Sequence, residues 1–340
     1  MSENEQHAAV IGFLRRHGLI GATQEPVPTP LTGGVSSDLW KVDIGARSIC
    51  VKGALPQLKV AGTWLAPTSR NSVECEWLRL AQRLRPGQVP QVLAQDETAG
   101  LFAMEYLPPA EYPVWKTLLL SGRIDIEAAR AVGDLVGELH ARTAADPGSP
   151  ARFDTDDNFD ALRIGPYLRV TADAHPDLRA QFATLAERTA GIHLAVVHGD
   201  VSPKNILLGP RGPVLLDAEC AWFGDPAFDV AFCINHLVIK SIKLPHRAPA
   251  FRMAAREFAA AHAAWVDWEQ PAAFTARAVA LLPALTLARV DGSSPVEYLD
   301  ERERRLVRTV GRDLLAEPAA DLDGFIRRWA ALTDHRKTNV

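Results

Sequence analysis

Cysteine is scarce: Cys50, Cys75, Cys220 and Cys233 are the four in 340 residues. None belongs to a C-x-x-C pair, and none has a second histidine at ligand spacing, which excludes a thiolate zinc site. Each lies in an apolar run, so the chain reads as carrying buried, reduced thiols, as in a cytoplasmic protein. A basic excess is also lacking. With 37 Lys and Arg against 41 Asp and Glu, the net charge is -4. That excludes a protein built to neutralise nucleic-acid phosphates. The first residues, MSENEQ, have neither the positive start nor the apolar stretch of a signal peptide. The longest apolar run, 278–288, falls short of the roughly 20 residues that cross a bilayer, so no membrane span is expected. No internal repeat stands out.

What is present is a 47% hydrophobic chain, enough for a large core in two domains or one two-lobed unit. Residues 7–20 read as an amphipathic helix, and the proline-rich stretch 25–30 ends it. From Leu31 the pattern turns to strands. Residues 38–44 and 47–52 form an expected hairpin about Gly45-Ala46. A helix is expected over 71–85, stopped by Pro86-Gly87, then strands over 91–95 and 101–106. Pro108-Pro109 marks a break. We therefore expect an α+β fold with a β-rich N-terminal lobe, 1–107, and a mostly helical C-terminal lobe, 108–340. Ligands commonly bind between such units.

The chemistry concentrates in the segment HGDVSPKNILL, which begins at His198. Phosphoryl transfer from ATP needs a carboxylate to orient the acceptor hydroxyl, magnesium ligands, a cation on the phosphates and a backbone lid. Asp200 is the candidate base, and Asn205 follows at the Asp-to-Asn spacing of the protein-kinase catalytic loop. The apolar runs 206–208 and 214–216 flank a Gly-Pro-Arg-Gly-Pro turn. A hairpin symmetric about Arg211 sets Asn205 opposite Asp217, about 5 Å apart, where both can hold one magnesium. Glu219 is a further metal candidate. Lys52 ends an apolar strand and is the candidate phosphate ligand, paired with Glu74 or Glu76 of the next helix, Glu74 being favoured. Gly33, Gly34, Ser36 and Ser37 are candidates for the phosphate lid. Glu105, Tyr106 and Leu107 stand where adenine can bond to backbone. Asp225 and Asp229 read as structural, Asp225 as a helix cap, and His198 as a brace for its loop. Lys204 reads equally as a phosphate ligand or a solvent-facing side chain.

The strings HGDVSPKNILL and VLLDAECAWFGDPAFDVA resemble the aminoglycoside phosphotransferase and choline kinase-like superfamily. The resemblance covers most of the chain, because lysine, glutamate and hinge fall in the expected order. It implies a two-lobed protein kinase-like fold, ATP with magnesium, and transfer to a small-molecule hydroxyl. In it Asp200 is the base, Asn205 and Asp217 bind metal, and Lys52 holds the phosphates. The Asp217-x-Glu219 form and the stretch 51–56 look similar to methylthioribose kinases. Protein kinases fit less well: His-Gly-Asp replaces His-Arg-Asp, Asp-Ala-Glu replaces Asp-Phe-Gly, and no Ala-Pro-Glu follows.

The acceptor is thus expected to be a small hydroxylated metabolite. Asp156 and Asp157 in the acidic stretch 154–160, Arg163 near it, and Arg289 after an apolar helix are candidate acceptor contacts; the acidic stretch reads equally as a solvated loop and helix cap. An aminoglycoside-modifying enzyme is the alternative with the same chemistry. It needs an acidic pocket, which only residues 154–160 suggest. A catalytically silent kinase-like binding module is the third reading, and the presence of every polar essential argues against it.

Overall fold

The computed structural model describes residues 3–31, 37–55 and 69–335. The smaller part carries α1 (Glu3–Arg16), β1 (Thr29–Pro30), β2 (Ser37–Ile44), β3 (Arg47–Ala54), α2 (Arg70–Leu84), β4 (Val92–Asp96) and β5 (Leu101–Glu105). Its strands form one antiparallel sheet in the order β1-β2-β3-β5-β4. The β2–β3 hairpin turns at Gly45-Ala46 as expected. Gly45 has φ 61°, which the missing Cβ permits.

Side chains alternate across a strand, and β3 uses both faces. Ile49 and Val51 join Trp40, Val42 and Ala103 beneath Val10, Phe13 and Leu14 of α1. Lys52 is in register with Leu39 and Phe102 on the opposite face. Phe102 packs there with Cys75 and Leu78 of α2 in the main core. The alternation that buries β3 under α1 therefore delivers Lys52 to the other side. The expected helix over 7–20 is corrected: α1 starts at Glu3 and stops at Arg16. Gly18 reverses the chain with φ 65°, and Ile20 returns to the same core after the turn.

The larger part begins with α3 (Trp115–Leu120) and α4 (Ile126–Ala144), then the short α5 (Ser149–Arg152) and α6 (Asp156–Phe159). A wide π-type helical stretch, Asp160–Arg169, continues through α7 (Val170–Ala174) to α8 (Arg179–Ala190). Pro166 lies inside that stretch and lacks an N–H, and the Val170 N–H reaches five residues back to the Gly165 carbonyl. β6 (Ala195–Val197), β7 (Ile206–Gly209), β8 (Gly212–Leu215) and β9 (Trp222–Gly224) make two small antiparallel pairs, β6 with β9 and β7 with β8. The remainder is helical: α9 (Ala227–Lys243), α10 (Ala248–Ala263), α11 (Pro271–Asp291), α12 (Glu301–Ala316) and α13 (Leu322–His335).

α9 is buried from Ala227 to Ile242, as a mostly apolar helix at the centre of a large protein is, and it takes Asp229, Asn235, His236, Lys240 and Ser241 inside with it. α4 and α10 lie against each other at Gly133 and Gly137, which face the backbone of Phe258 and His262. The apolar run 278–288 proves to be part of the 21-residue α11, long and apolar enough to cross a membrane by length and composition alone. In this fold its Leu281, Leu282, Leu285 and Leu287 are fully buried in the main core. All four cysteines are free and buried.

Candidate active site

Between the sheet and the helical part lies a cleft of about 750 Å3, the size of a small-ligand site. Lys52, Glu74, Asp200, Asn205 and Asp217 all line it. Lys52 Nζ donates to Glu74 Oε2 at 2.6 Å and to Asp217 Oδ1 at 2.5 Å. Glu76 instead lies 4.0 Å from Arg152, so the choice between the two glutamates resolves to Glu74 as the ion-pair partner. Burial alone would discharge Lys52, but Asp217 and Glu74 overrule it and hold the ammonium well above its usual range. One ammonium serves two carboxylates. Burial therefore pushes Glu74 up to about 7 against the pull of Lys52, whereas at Asp217 Lys52 and Lys204 outweigh burial and keep the carboxyl low.

The β7–β8 hairpin corrects one expectation. It closes on a two-residue turn, Pro210-Arg211, with Ile206 opposite Leu215 and Gly209 opposite Gly212. The register is thus shifted by one residue from a hairpin symmetric about Arg211. The Leu216 N–H donates to the Asn205 carbonyl at 2.9 Å, so Asn205 stands opposite Leu216, not Asp217. Such a shift by itself would turn Asp217 to the wrong side. Asp217 leaves the strand with φ 67°, the one positive φ among the described non-glycine residues, and this twist returns its carboxylate to the cleft beside Lys52. A non-glycine residue held there is strained and marks a site where geometry has been imposed.

Asp200 is held from one side only. Its Oδ2 lies 2.8 Å from Arg163 Nη2 and 3.1 Å from Lys204 Nζ, while Oδ1 is buried without a partner. Burial opposes its charge, yet Lys204 and Arg163 hold the carboxyl well below its usual range. Arg163, an expected acceptor contact, also donates from Nε to the Gly199 carbonyl, so it positions the loop. Lys204, whose role the sequence left open, is engaged by Asp200, with its side chain 47% exposed.

The loop itself is braced from behind. His198 Nδ1 accepts from the Asp200 N–H at 3.2 Å, and Nε2 faces the Leu216 carbonyl at 3.1 Å, which selects the neutral Nε2–H tautomer. Burial lowers the pKa of this imidazole, in keeping with that form. Asp229 accepts from the N–H groups of both His198, at 2.7 Å, and Gly199, at 2.9 Å. Gly199 has φ 77°, and a Cβ there would meet the Cys220 carbonyl oxygen at 2.7 Å. Asp225 caps the start of α9 by accepting from the Ala227 N–H and also pairs with Arg277.

The other candidates divide. Ser37 is buried in the cleft, its hydroxyl unpartnered. Gly33, Gly34 and Ser36 lie outside the described residues. Glu105 closes β5, the Tyr106 ring lies under Lys41 at 5.3 Å, and Leu107 follows; Met104, just before them, lines the cleft. The Glu219 carboxylate is engaged by Arg70 at 3.0 Å, and Arg70 Nη2 also donates to the Leu55 carbonyl. Asp156 and Asp157 are exposed and do not line the cleft. Asp156 faces His193 at 2.8 Å, and neighbouring Asp160 pairs with Arg169. From that acidic stretch it is Asn158 that reaches inward, donating to the Glu219 carbonyl at 2.7 Å. Arg289 does line the cleft.

Sequence reasoning missed Arg70, the Asp229 bridge to the catalytic loop, and the polar residues His236 and Lys240, which also line the cleft. The last two had a readable signal: a lysine and a histidine inside a mostly apolar helix that is buried along almost its whole length.

A family model described as the phosphotransferase enzyme family matches residues 27–274. A methylthioribose kinase of Bacillus cereus (strain AH820) is 22% identical over 262 residues, covering 68% of this chain and 65% of that protein. The match thus spans just under two thirds of that relative's length. Among solved structures, an amicoumacin kinase in complex with AMP-PNP, Ca2+ and Ami superposes with a TM-score of 0.57 at 13% identity, over 94% of this chain and 98% of that one. A choline kinase from Cryptosporidium parvum gives 0.53 at 12% identity, over 97% and 95%. The kinase-like fold expected from the sequence is therefore the fold of this chain.

Proposed function

Because the chain belongs to the phosphotransferase enzyme family, we propose that it is a small-molecule kinase that moves the γ-phosphoryl group of ATP, with magnesium, onto a hydroxyl of a small metabolite. The observation that carries this is the convergence of Lys52, Glu74 and Asp217 with Asp200 and Asn205 in one cleft. In this reading residues 1–107 bind the nucleotide, and 108–340 supply the catalytic loop and the acceptor site.

The donor set suits magnesium. The Asn205 amide nitrogen is turned to the Asp200 carbonyl, which leaves its oxygen as a ligand, and Asp217 adds a carboxylate. When bound, the ion would draw the phosphate oxygens together and offset their charge. The further carboxylate, Glu219, is fixed by Arg70 and would act behind Asp217 unless that pair opens. Lys52, kept charged by its two carboxylates, would hold the α- and β-phosphate oxygens. Asp200 Oδ1 is the unoccupied acceptor on the catalytic loop. A hydroxyl donating to it would have its oxygen fixed for in-line attack on the γ-phosphorus. Since the pKa of Asp200 is held low, it is a weak base toward a free alcohol. The proton would pass to it only as the new P–O bond develops, as a loose transition state allows.

The AMP-PNP in the amicoumacin kinase supports ATP as the donor. An aminoglycoside acceptor is disfavoured by Lys240 and Arg289 on the cleft wall, which have no ion-pair partner among the described residues and would repel a polycation. The test is ADP release from ATP with magnesium against a panel of hydroxylated metabolites. Acceptor-dependent turnover is expected. Absence of both turnover and magnesium-dependent ATP binding would remove the kinase reading.

A further inference from the structure

On the helical side of the cleft, two cations have no ion-pair partner among the described residues, and Glu297, the carboxylate that acts on both, is bonded to Lys116 instead. Among the described lining residues the carboxylates are Glu74, Asp200, Asp217 and Glu297. Each already has a cation. Lys52 serves Glu74 and Asp217, Arg163 and Lys204 serve Asp200, and Lys116 serves Glu297. Lys240 of α9 and Arg289 of α11 are left over.

Lys240 is 1% exposed, and its ammonium donates to the His236 carbonyl at 3.2 Å. Arg289 donates to the Tyr167 hydroxyl at 2.9 Å, and its Nε is buried without a partner. The Tyr298 hydroxyl and His236 Nε2 on the same wall are also buried and unpartnered. The Tyr298 ring faces Lys240 at 5.1 Å, and the Tyr167 ring faces Arg289 at 5.6 Å. Ring faces soften the burial of a cation but do not neutralise it. The two internal segments outside the described residues, 32–36 and 56–68, contain no Asp or Glu, so neither can supply the missing charge.

Burying an unpaired cation is unfavourable by several kcal/mol, and a buried donor without an acceptor adds to that. Two such cations beside unpartnered polar atoms describe a site waiting for an anion. We propose that the acceptor carries an anionic group, a carboxylate or a phosphate monoester, seated between Lys240 and Arg289 with its hydroxyl turned to Asp200. The inference rests on the phosphotransfer reading above and names the substrate class of that site. The acceptor oxygen forms the new bond to the γ-phosphorus, the bond from that phosphorus to the β–γ bridging oxygen breaks, ADP leaves with the electron pair, and the hydroxyl proton passes through Asp200 to water. The anionic group takes no part in bond making; it sets the distance from cation pair to hydroxyl. Burial, with Lys116 and Arg289 adding repulsion, pushes Lys240 down to about 7, and an arriving anion would restore its charge.

The experiment uses a matched set of probes on the full chain saturated with Mg-ADP: glucose, glucosamine, glucuronate and glucose 6-phosphate, read by thermal shift at constant ionic strength. Glucuronate or glucose 6-phosphate is expected to stabilise the protein, while glucose and glucosamine leave it unchanged. Lys240→Met, with Arg289→Met as the second variant, should weaken the anion by roughly thirtyfold or more while keeping the Mg-ADP response. A shift from glucose or glucosamine alone, no shift from either anion, or an anion shift unaltered in both variants overturns the proposal. Mg-ADP binding is measured first. If it is missing, the phosphotransfer reading fails. If it is present without an anion response, only the anionic acceptor is withdrawn.

Discussion

Asp200 shows how much a side chain's neighbours decide about its role. One carboxylate oxygen is occupied by Arg163 and Lys204 and the other is free, so the residue can orient a hydroxyl while remaining a weak base. Asp200→Asn keeps the shape and removes the charge. It is expected to lower turnover by about 10²- to 10⁴-fold while Mg-ATP binding persists, as judged by calorimetry. Activity within a few-fold of the wild type would take the base role away from Asp200. Asp229 acts one step back, through two backbone N–H groups of the catalytic loop and the His140 ring at 3.2 Å. Asp229→Ala strands those buried donors and should destabilise the fold by about 3 kcal/mol, visible as a lower urea midpoint. An unchanged midpoint would mean that the loop finds other acceptors.

At the scale of elements, glycine decides how closely helices approach. Gly133 of α4 leaves no room for a methyl group, because a Cβ would collide with the Phe258 carbonyl of α10. Gly133→Ala is expected to cost about 1–3 kcal/mol through forced separation of the two helices. Gly12 in α1 is the contrast: its nearest neighbour would be an Arg16 guanidinium nitrogen at 3.4 Å. There the gain in helix propensity prevails, and Gly12→Ala should stabilise by about 0.5–1 kcal/mol. The two substitutions shifting Tm in the same direction would contradict this assignment of packing. The β7–β8 hairpin makes a related point. A turn one residue tighter than a symmetric reading of its sequence places Leu216 opposite Asn205, and only the positive φ at Asp217 recovers the carboxylate for the cleft.

Across the whole molecule, the unpaired cations should be visible in the pH dependence of stability. Lys240 faces Lys116, Arg289 and His236, with Glu297, Tyr298 and Cys233 also around it, and burial brings its pKa down from 10.5 to about 7. In the unfolded chain it holds its proton up to about pH 10.4. Between those values the unfolded state binds more protons, so stability rises with pH, and the cost of the buried charge is fully present only below about pH 7. In the ligand-free protein, stability relative to Lys240→Met should therefore climb from pH 7 to 9, at most by about 1.4 kcal/mol per pH unit. Parallel curves for the two proteins would show that Lys240 keeps its charge throughout.

The spacing of Asp200 and Asn205, the strand that carries Lys52 (though it runs on to Ala54 instead of ending at the lysine) and the two-lobed order of elements were legible in the sequence. They depend on short separations and on the periodicity of side chains along a strand or helix. The pairing of Lys52 with Asp217, 165 residues away, was beyond any local pattern, and so was the attachment of Glu219 to Arg70. The acidic stretch 154–160 read equally as an acceptor contact and as a solvated loop; Asp156 and Asp157 are exposed, which fits the solvated loop, while Arg163, a few residues on, turns in to Asp200. Composition indicates how many charges a chain has, and covalent spacing indicates which of them share an element. Which charges are desolvated, and which are left without a partner, is decided when distant elements close around a common cleft, and here that closure leaves Lys240 and Arg289 without an ion-pair partner among the described residues.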